Sequence, residues 1–166
     1  MIAPGLDVLF CGINPGLLSF ERGHHFARPG NRFWPALHGS GFTDRLLSPD
    51  EDALLLDYGL GITNMVDRPT RGADELSAEE MRRGGESLAK LAAHCRPSVI
   101  AVVGLSAWRL AYSRPKARVG LQEETVGGCS AWVLPNPSGL NAHYQLPDLI
   151  RLFGELRSWV STSAAP

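Results

Sequence analysis

An α/β fold is predicted for this chain: a three-layer αβα sandwich in which helices cover both faces of a short, mostly parallel central sheet. Short apolar runs that end at glycine or proline alternate with segments that carry helix-capping signals, an order typical of a parallel sheet. The 166 residues suit one compact domain, 1–166, with its core at about residues 6–160. Hydrophobic residues make up 44% of the chain and charged residues 20%, which argues against extensive disorder.

Four apolar runs are the predicted core strands. The first is short and apolar and ends at glycine, so it is expected to be fully buried, and the third is the clearest buried strand. The four runs lie at residues 7–12, 61–66, 98–103 and 129–134. Residues 121–126 are compatible with either an edge strand or an irregular segment.

Capping signals predict where the helices begin. Ser48 and Glu51 flank Pro49 in a capping-box pattern, which predicts a helix from there to Gly59. A second capping box at Ser77 predicts a helix to about residue 95, interrupted by two glycines at 84–85. Further helices are predicted at 31–38, 104–112 and 147–160, a loop at 21–31 and a frayed tail at 161–166.

The composition excludes several classes of protein. Cys11, Cys95 and Cys129 form no CxxC pair, which favours a reducing compartment and argues against a zinc ribbon or a four-cysteine iron–sulfur cluster. No apolar run approaches the roughly 20 residues that span a bilayer, and no basic segment precedes the first apolar run. No membrane association and a cytoplasmic location are therefore expected. His24 and His25 lack a carboxylate or cysteine at ligand spacing, so no metal is expected.

The loop at residues 12–16 (GINPG) follows the first predicted strand, and ligands of parallel sheets bind beyond the carboxyl ends of strands. Its glycines allow a ligand to approach the backbone, and Pro15 stiffens the loop around Asn14. The Asn14 amide can hold a water molecule through its carbonyl oxygen. The alternative, that Asn-Pro-Gly is only turn chemistry, stays open.

The loop at residues 136–141 (NPSGLN) follows the last predicted strand and has a similar composition. Leu140 lies outside any helical or strand period within it. This leucine either folds back onto the core or acts as an apolar wedge between DNA bases. In the second case Ser138, Gly139 and Asn141 are placed to contact phosphates through hydroxyl, backbone and amide groups.

Two further residues have two interpretations each. Phe26, in a polar segment, is either a core anchor for its loop or a platform on which a planar base stacks. Asp67 ends a predicted strand before Arg68 and forms either a local turn or ion pair, or a carboxylate that faces the cleft. The chain has no P-loop, GxGxxG, GxSxG or HExxH motif that would indicate another chemistry.

Together these segments resemble the mismatch-specific uracil-DNA glycosylase and thymine-DNA glycosylase family, the bacterial branch above all. Residues 12–16 are similar to the family's first motif and residues 136–141 to its second. Residues 28–34, 41–44 and 66–70 are also similar, and the resemblance extends from about residue 6 to residue 159.

The resemblance implies a monofunctional hydrolase, without metal or cofactor, that acts on double-stranded DNA containing a mispaired or damaged base. Uracil opposite guanine is the main substrate that it implies, together with 3,N4-ethenocytosine, and thymine stays open. Such an enzyme flips the target base out of the duplex, hydrolyses its N-glycosidic bond and leaves an abasic site. A monomer is expected.

The resemblance also implies residue roles. Asn14 positions the attacking water, and Asp67 is an auxiliary catalytic group. Asn136 faces a carbonyl of the base, and Phe26 stacks on it. Backbone groups of Gly12 and Ile13, with Ser19 nearby, meet its polar edge. The implied DNA-binding residues are Pro137, Ser138, Gly139, Leu140, Asn141 and His143.

One departure from the family pattern concerns the opposite strand. The family often has an arginine shortly after the wedge leucine, whereas here Asn141 precedes Ala142, His143 and Tyr144. Recognition of the opposite guanine is therefore either weaker or transferred to His143 or Tyr144, and a broader substrate range is expected. The alternatives to an enzyme are a non-catalytic lesion-sensing module and a nucleotide-binding module on the same fold.

Overall fold

A central sheet organises the computed structural model, which describes residues 1–163. Within this range the sheet has five strands in the order β2-β1-β3-β5-β4, and all neighbours are parallel except the β4–β5 pair. The predicted mostly parallel α/β fold is confirmed. The strands are β1 (Val8–Gly12), β2 (Leu60–Asn64), β3 (Val99–Val103), β4 (Gly120–Leu121) and β5 (Ser130–Leu134).

Helices cover both faces of the sheet. The α-helices are α1 (Leu17–Arg22), α2 (Phe33–Gly39), α3 (Ala78–Cys95), α4 (Leu105–Ala111) and α5 (Leu146–Ser163), and 3₁₀ helices span Pro49–Tyr58 and Ala73–Glu75. None of these helices is long and apolar enough to cross a membrane.

The core is divided in two by the alternation of side chains along the strands. Val8 and Phe10 of β1 belong to a cluster with α2 and α5, whereas Leu9 and Cys11 belong to a cluster with α3 and α4. All four residues are fully buried, as expected for a central parallel strand covered on both sides. The two clusters are the two interfaces of a three-layer sandwich.

The predicted capping boxes are formed to different extents. At Ser77 both halves are present, because Glu80 N donates to Ser77 Oγ at 3.1 Å and Ser77 N donates to Glu80 Oε2 at 2.8 Å. At Ser48 the Glu51 carboxylate accepts from the backbone N–H at 3.0 Å, but the Glu51 N–H bonds to the Ser48 carbonyl. The helix that follows Ser48 is of the tighter 3₁₀ type.

Three predictions about helices were wrong. Residues 17–22 form helix α1, whose last residues fall in the predicted loop; this helix buries no residue and so carries no amphipathic signal. Helix α3 is continuous through Gly84 and Gly85. These glycines serve close packing, because a Cβ at Gly84 would collide with the Met65 carbonyl and one at Gly85 would press on Ala111 and Tyr112. Residues 161–163 belong to α5, and residues 164–166 of the predicted tail lie outside the described residues.

The order of the strands places the loops. The chain adds β2 on one side of β1 and then crosses to add β3 on the other side. Connections therefore leave the carboxyl ends of β1 and β3 in opposite directions, which opens a crevice above them. The loops after Gly12, Asn64, Val103 and Leu134 all begin at this edge of the sheet.

Candidate active site

A cleft of about 540 Å³ lies at the carboxyl edge of the sheet. It is lined by Asn14 of the first loop and Asn136 of the last loop, which are separated by most of the chain in sequence. Asn64 and Val103, at the ends of β2 and β3, complete its floor. This volume lies in the range of clefts that bind small organic groups.

The Asn14 side chain is held by its amide nitrogen. Nδ2 donates to the Arg68 carbonyl at 2.8 Å and to Thr70 Oγ1 at 2.7 Å. The Thr70 hydroxyl donates its hydrogen bond to the Gly72 carbonyl at 2.9 Å, so its oxygen is the acceptor for Asn14 Nδ2. Both acceptors therefore require the nitrogen of the amide to face them. Oδ1 of Asn14 makes no hydrogen bond within residues 1–163 and is left as a free acceptor.

The Asn136 side chain is held by its oxygen instead. Oδ1 accepts from the backbone N–H of Ser138 at 2.9 Å, and a backbone N–H can only donate. The backbone carbonyl of Asn136 accepts from Asn141 Nδ2 at 3.0 Å, which closes the loop on itself. In the described part of the chain, Nδ2 of Asn136 has no acceptor, so this residue offers the cleft a donor.

Phe26 is anchored in the core and also faces the cleft. Its ring stacks on Phe33, with centroids 4.2 Å apart and planes 19° apart, which anchors it to the core. The ring is only partly buried and also lines the cleft. Its φ of 52° is a left-handed backbone conformation that few non-glycine residues adopt, and the turn it creates brings the ring over β1.

Gly12 lies beneath Phe26, and its lack of a side chain is required there. A Cβ at Gly12 would lie 2.7 Å from Asn64 Oδ1 and 3.3 Å from the Phe26 ring. The carbonyls of Gly12 and Ile13 accept from the N–H groups of Met65 and Val66, each at 2.9 Å. Ile13 lines the cleft, whereas Gly12 is buried below it.

Ser19 lies on α1 at the cleft and ties that helix to the Phe26 turn. Its Oγ accepts from the Ala27 N–H at 3.0 Å, next to Phe26. The hydroxyl proton of Ser19 remains available to a ligand, because the backbone group uses only an acceptor position.

The loop that follows β5, residues 136–145 (here called the leucine loop), presents Leu140 to solvent at the cleft edge. Leu140 is 75% exposed, so the alternative in which it folds back onto the core is wrong. Its N–H donates to Ser138 Oγ at 3.2 Å, and the N–H of Asn141 donates to the Ser138 carbonyl at 3.0 Å. Ser138 lines the cleft together with Leu140, whereas Pro137, Gly139, Asn141 and His143 support the loop or lie outside the cleft.

Asp67 does not line this cleft. Val66 N continues the pairing of β2 with β1, and the next residue, Asp67, is exposed in a separate depression toward α3, beside Glu80 and Arg83. The expected pairing of Asp67 with Arg68 is also absent among the described residues, since Arg68 pairs with Glu80 at 2.8 Å. That ion pair ties Arg68 to α3. The backbone carbonyl of the same residue, Arg68, accepts the hydrogen bond from Asn14.

The cleft favours anions. Arg28 and Arg71 line it, both exposed, and none of the described lining residues is Asp or Glu. Burial lowers the pKa of His25, the charges of the N-terminus and His24 lower it further, and Asp52 opposes them. His25 is thus a neutral lining group at neutral pH. No group of three or more metal-ligating side chains occurs within residues 1–163.

Among the cleft residues that sequence reasoning missed, Asn64 and Thr70 lie closest to the first motif. Asn64 pairs in register with Gly12, so its place at the end of a buried strand beside the first motif was a usable signal. Thr70 is buried at 4% exposure and fixes the Asn14 amide; it lies in the familial segment 66–70, but no local pattern there indicates this role.

The chain matches a protein-family model. The model described as the uracil DNA glycosylase superfamily matches residues 1–157, which includes both asparagine loops and every strand and helix that lines the cleft.

Proposed function

Because the chain belongs to the uracil DNA glycosylase superfamily, we propose that it removes uracil from double-stranded DNA, with a preference for uracil opposite guanine. Membership supports DNA glycosylase activity on uracil, and hence hydrolysis of an N-glycosidic bond in DNA. The mismatch preference, the action on 3,N4-ethenocytosine and an action on thymine are the finer part of the proposal. We also propose that residues 1–166 act as one monomeric glycosylase domain.

The single observation that carries the mechanism is the opposite orientation of two amides in one cleft. Asn14 offers a free acceptor, and Asn136 offers a free donor. Hydrolysis of a nucleoside needs one of each: an acceptor for a proton of the attacking water and a donor for the oxygen of the departing base.

In the proposed reaction, Oδ1 of Asn14 accepts a hydrogen bond from a water molecule and aims its oxygen at C1′ of the deoxyribose. The C1′–O bond forms as the C1′–N1 bond breaks, and the electron pair of that bond leaves with uracil. The water proton is lost to solvent, because a neutral amide orients water but hardly deprotonates it. No carboxylate among the described lining residues supplies a base, so the enzyme is expected to be slow.

The departing uracil carries negative charge that is delocalised onto its carbonyl oxygens. Nδ2 of Asn136 is proposed to donate to one of them, and its position is fixed before the charge develops because Ser138 holds the amide. Preorganised donors of this kind lower a barrier more than mobile ones, because no reorganisation is needed during the reaction.

The remaining lining residues are proposed to bind the flipped nucleotide. Phe26 stacks on the base, with Ile13, Asn64 and Ser19 around its polar edge. Leu140 fills the space that the base vacates in the duplex. Removing the base from the stack costs a few kcal/mol, and a mispair lowers that cost, which supports a preference for mismatched uracil.

A turnover assay on a panel of duplexes tests the proposal. Uracil, thymine and ethenocytosine are placed opposite guanine and adenine, and abasic sites are cleaved with alkali. We expect scission of the G·U strand above a no-enzyme control and slower scission of A·U. Binding without scission of any strand would instead support a lesion-sensing module. Binding of free nucleotides but not of duplex would support a nucleotide-binding one.

A further inference from the structure

We propose that Arg32 is the positioning residue of the leucine loop, residues 136–145, and holds Leu140 in its inserting conformation before DNA arrives. This inference rests on the proposed function, in which Leu140 enters the duplex. Arg32 itself does not line the cleft and touches no reacting atom.

The Arg32 guanidinium forms hydrogen bonds to several residues of the leucine loop. Nη2 of Arg32 donates to the carbonyls of Ser138 and Asn141, the latter at 3.0 Å. Nη1 donates to the Tyr144 carbonyl at 2.7 Å and lies 3.4 Å from Gln145 Oε1. These acceptors lie on both sides of Leu140 in the sequence, so the guanidinium joins the two arms of the loop beneath its tip.

The loop depends on this contact because it contains no helix or strand between residues 135 and 145. It rests on the segment that carries Arg32: the Arg32 N–H donates to the Pro137 carbonyl at 2.9 Å, and a Cβ at Gly139 would lie 2.7 Å from the Gly30 carbonyl. The carbonyls of Ser138, Asn141 and Tyr144 are partly buried, and Arg32 donates to all three. Without it the Asn141 and Tyr144 carbonyls would lose this donor, whereas the Ser138 carbonyl would keep the Asn141 N–H.

Arginine is specifically suited to this position. Its planar fork presents donors in fixed directions to several acceptors, whereas a lysine ammonium is a single mobile point of charge. Nε of Arg32 is buried and has no partner among the described residues. The arrangement therefore leaves one donor unsatisfied while it serves the loop carbonyls through the other two nitrogens.

The consequence is preorganisation. If the loop that carries the wedge is already ordered in the free protein, no conformational entropy of the loop is lost when the wedge enters the duplex. Loss of Arg32 should therefore slow excision from duplex DNA, where a base must be displaced. It should have little effect on excision from single-stranded DNA, where no partner base or opposite strand resists flipping.

The test compares Arg32→Met and Arg32→Lys with a matched control, Arg109→Met. Arg109 also donates to a backbone carbonyl, that of Ala117, through Nε at 3.0 Å and Nη2 at 2.7 Å, but it lies on α4 away from the cleft. Single-turnover rates are measured on a G·U duplex and on the same uracil strand alone. For both Arg32 variants we expect the duplex rate to fall at least about tenfold and the single-strand rate less than about threefold, while the control keeps the wild-type ratio of the two rates.

Coupling to Leu140 is measured in a double-mutant cycle. Leu140→Ala alone should slow the duplex reaction, and Arg32→Lys should add little in that background, because the residue that it positions is already gone. Additive losses, or equal losses on duplex and single-stranded DNA, would overturn the positioning role.

Backbone amide exchange of the free protein separates this inference from the proposed function. Exchange at residues 138–145 should be faster in Arg32→Lys than in wild type and unchanged in Arg109→Met, with or without activity. Unchanged exchange at this loop would overturn the inference whatever the enzyme does. Absence of uracil excision by wild type on every substrate would overturn the proposed function and leave the exchange result to decide the structural role.

Discussion

The first and last loops of the cleft use the same residue type for opposite purposes. Both contain an asparagine directly before a proline and both follow a buried strand, yet Asn14 is held by its nitrogen and Asn136 by its oxygen. In the first loop the fixed partners are acceptors, the Arg68 carbonyl and the Thr70 hydroxyl. In the second loop the partner is a donor, the Ser138 N–H.

The neighbours of an amide side chain decide whether its oxygen or its nitrogen reaches a ligand. The partners of Asn14 come from a segment more than fifty residues away, across the β1–β2 pairing. The partner of Asn136 is two residues further along the same turn. One orientation is thus tertiary and the other local, and substitutions can distinguish them.

The largest effect is expected for Asn14→Ala. Loss of the acceptor that orients water should lower the single-turnover rate about 100- to 1000-fold, with duplex affinity close to wild type. Rates are measured under enzyme excess and affinity by anisotropy on a non-cleavable analogue. Wild-type turnover in this variant would remove Asn14 from the water site.

Asn136→Ala should lower the rate about 10- to 100-fold, through loss of one donor to the leaving base. The signature is its dependence on the leaving group. With 5-fluorouracil, whose anion is more stable, the loss should shrink for Asn136→Ala and stay the same for Asn14→Ala. Equal losses on the two bases for both variants would mean that the two amides do not differ in role.

A smaller effect, on stability, is expected from His25 beside the first loop. Its folded-state pKa is lowered from the ordinary 6.5, chiefly by burial, so on acidification the unfolded chain binds a proton first. The free energy of unfolding should therefore fall as pH drops below about 6.5. The Tm of wild type should accordingly fall between pH 7.5 and 5.5, and His25→Gln should reduce this fall because it removes the titrating imidazole. The hydrogen bonds to Asp52 and Trp34 are kept in this variant, because they are made by the backbone of residue 25.

The exposed His94 is the control for that experiment, because His94→Gln changes a surface imidazole on α3. Its pH profile of Tm should match that of wild type. A His25→Gln profile identical to wild type would show that other groups cause the acid destabilisation.

The smallest effect is expected for Asp67→Asn, which should change the rate on G·U less than about threefold. The carboxylate lies in the depression beside α3, so the first loop works without it. A large loss of rate with unchanged Tm would mean that Asp67 reaches the cleft when DNA is bound and acts there together with Asn14 and Asn136.

Much of the fold was predictable because its signals are local. The strands β1 and β3 are uninterrupted apolar runs, and the Ser77 capping box occurs as predicted. Helix α1 was missed because it buries nothing, and the break at Gly84 was wrongly predicted because the reason for glycine there is the approach of Met65.

The candidate site divides in the same way. Asn14, Phe26, Asn136 and Leu140 were identifiable because strand ends and loop composition mark them, and all four line the cleft. Thr70 and Arg32 were not identified, since each acts by hydrogen bonds to residues far away in the sequence. Asp67 was misplaced because the pairing of Val66 with Ile13 sets the direction in which the chain leaves β2.

The order of residues was sufficient to establish the layered α/β architecture and the two asparagine loops, because burial periodicity, capping and turn chemistry are properties of short segments. The direction in which each amide faces, the exclusion of Asp67 and the support of Leu140 by Arg32 depend on contacts between distant segments. Such contacts exist only once the parallel strands are paired, since register alone determines which carbonyls and hydroxyls meet.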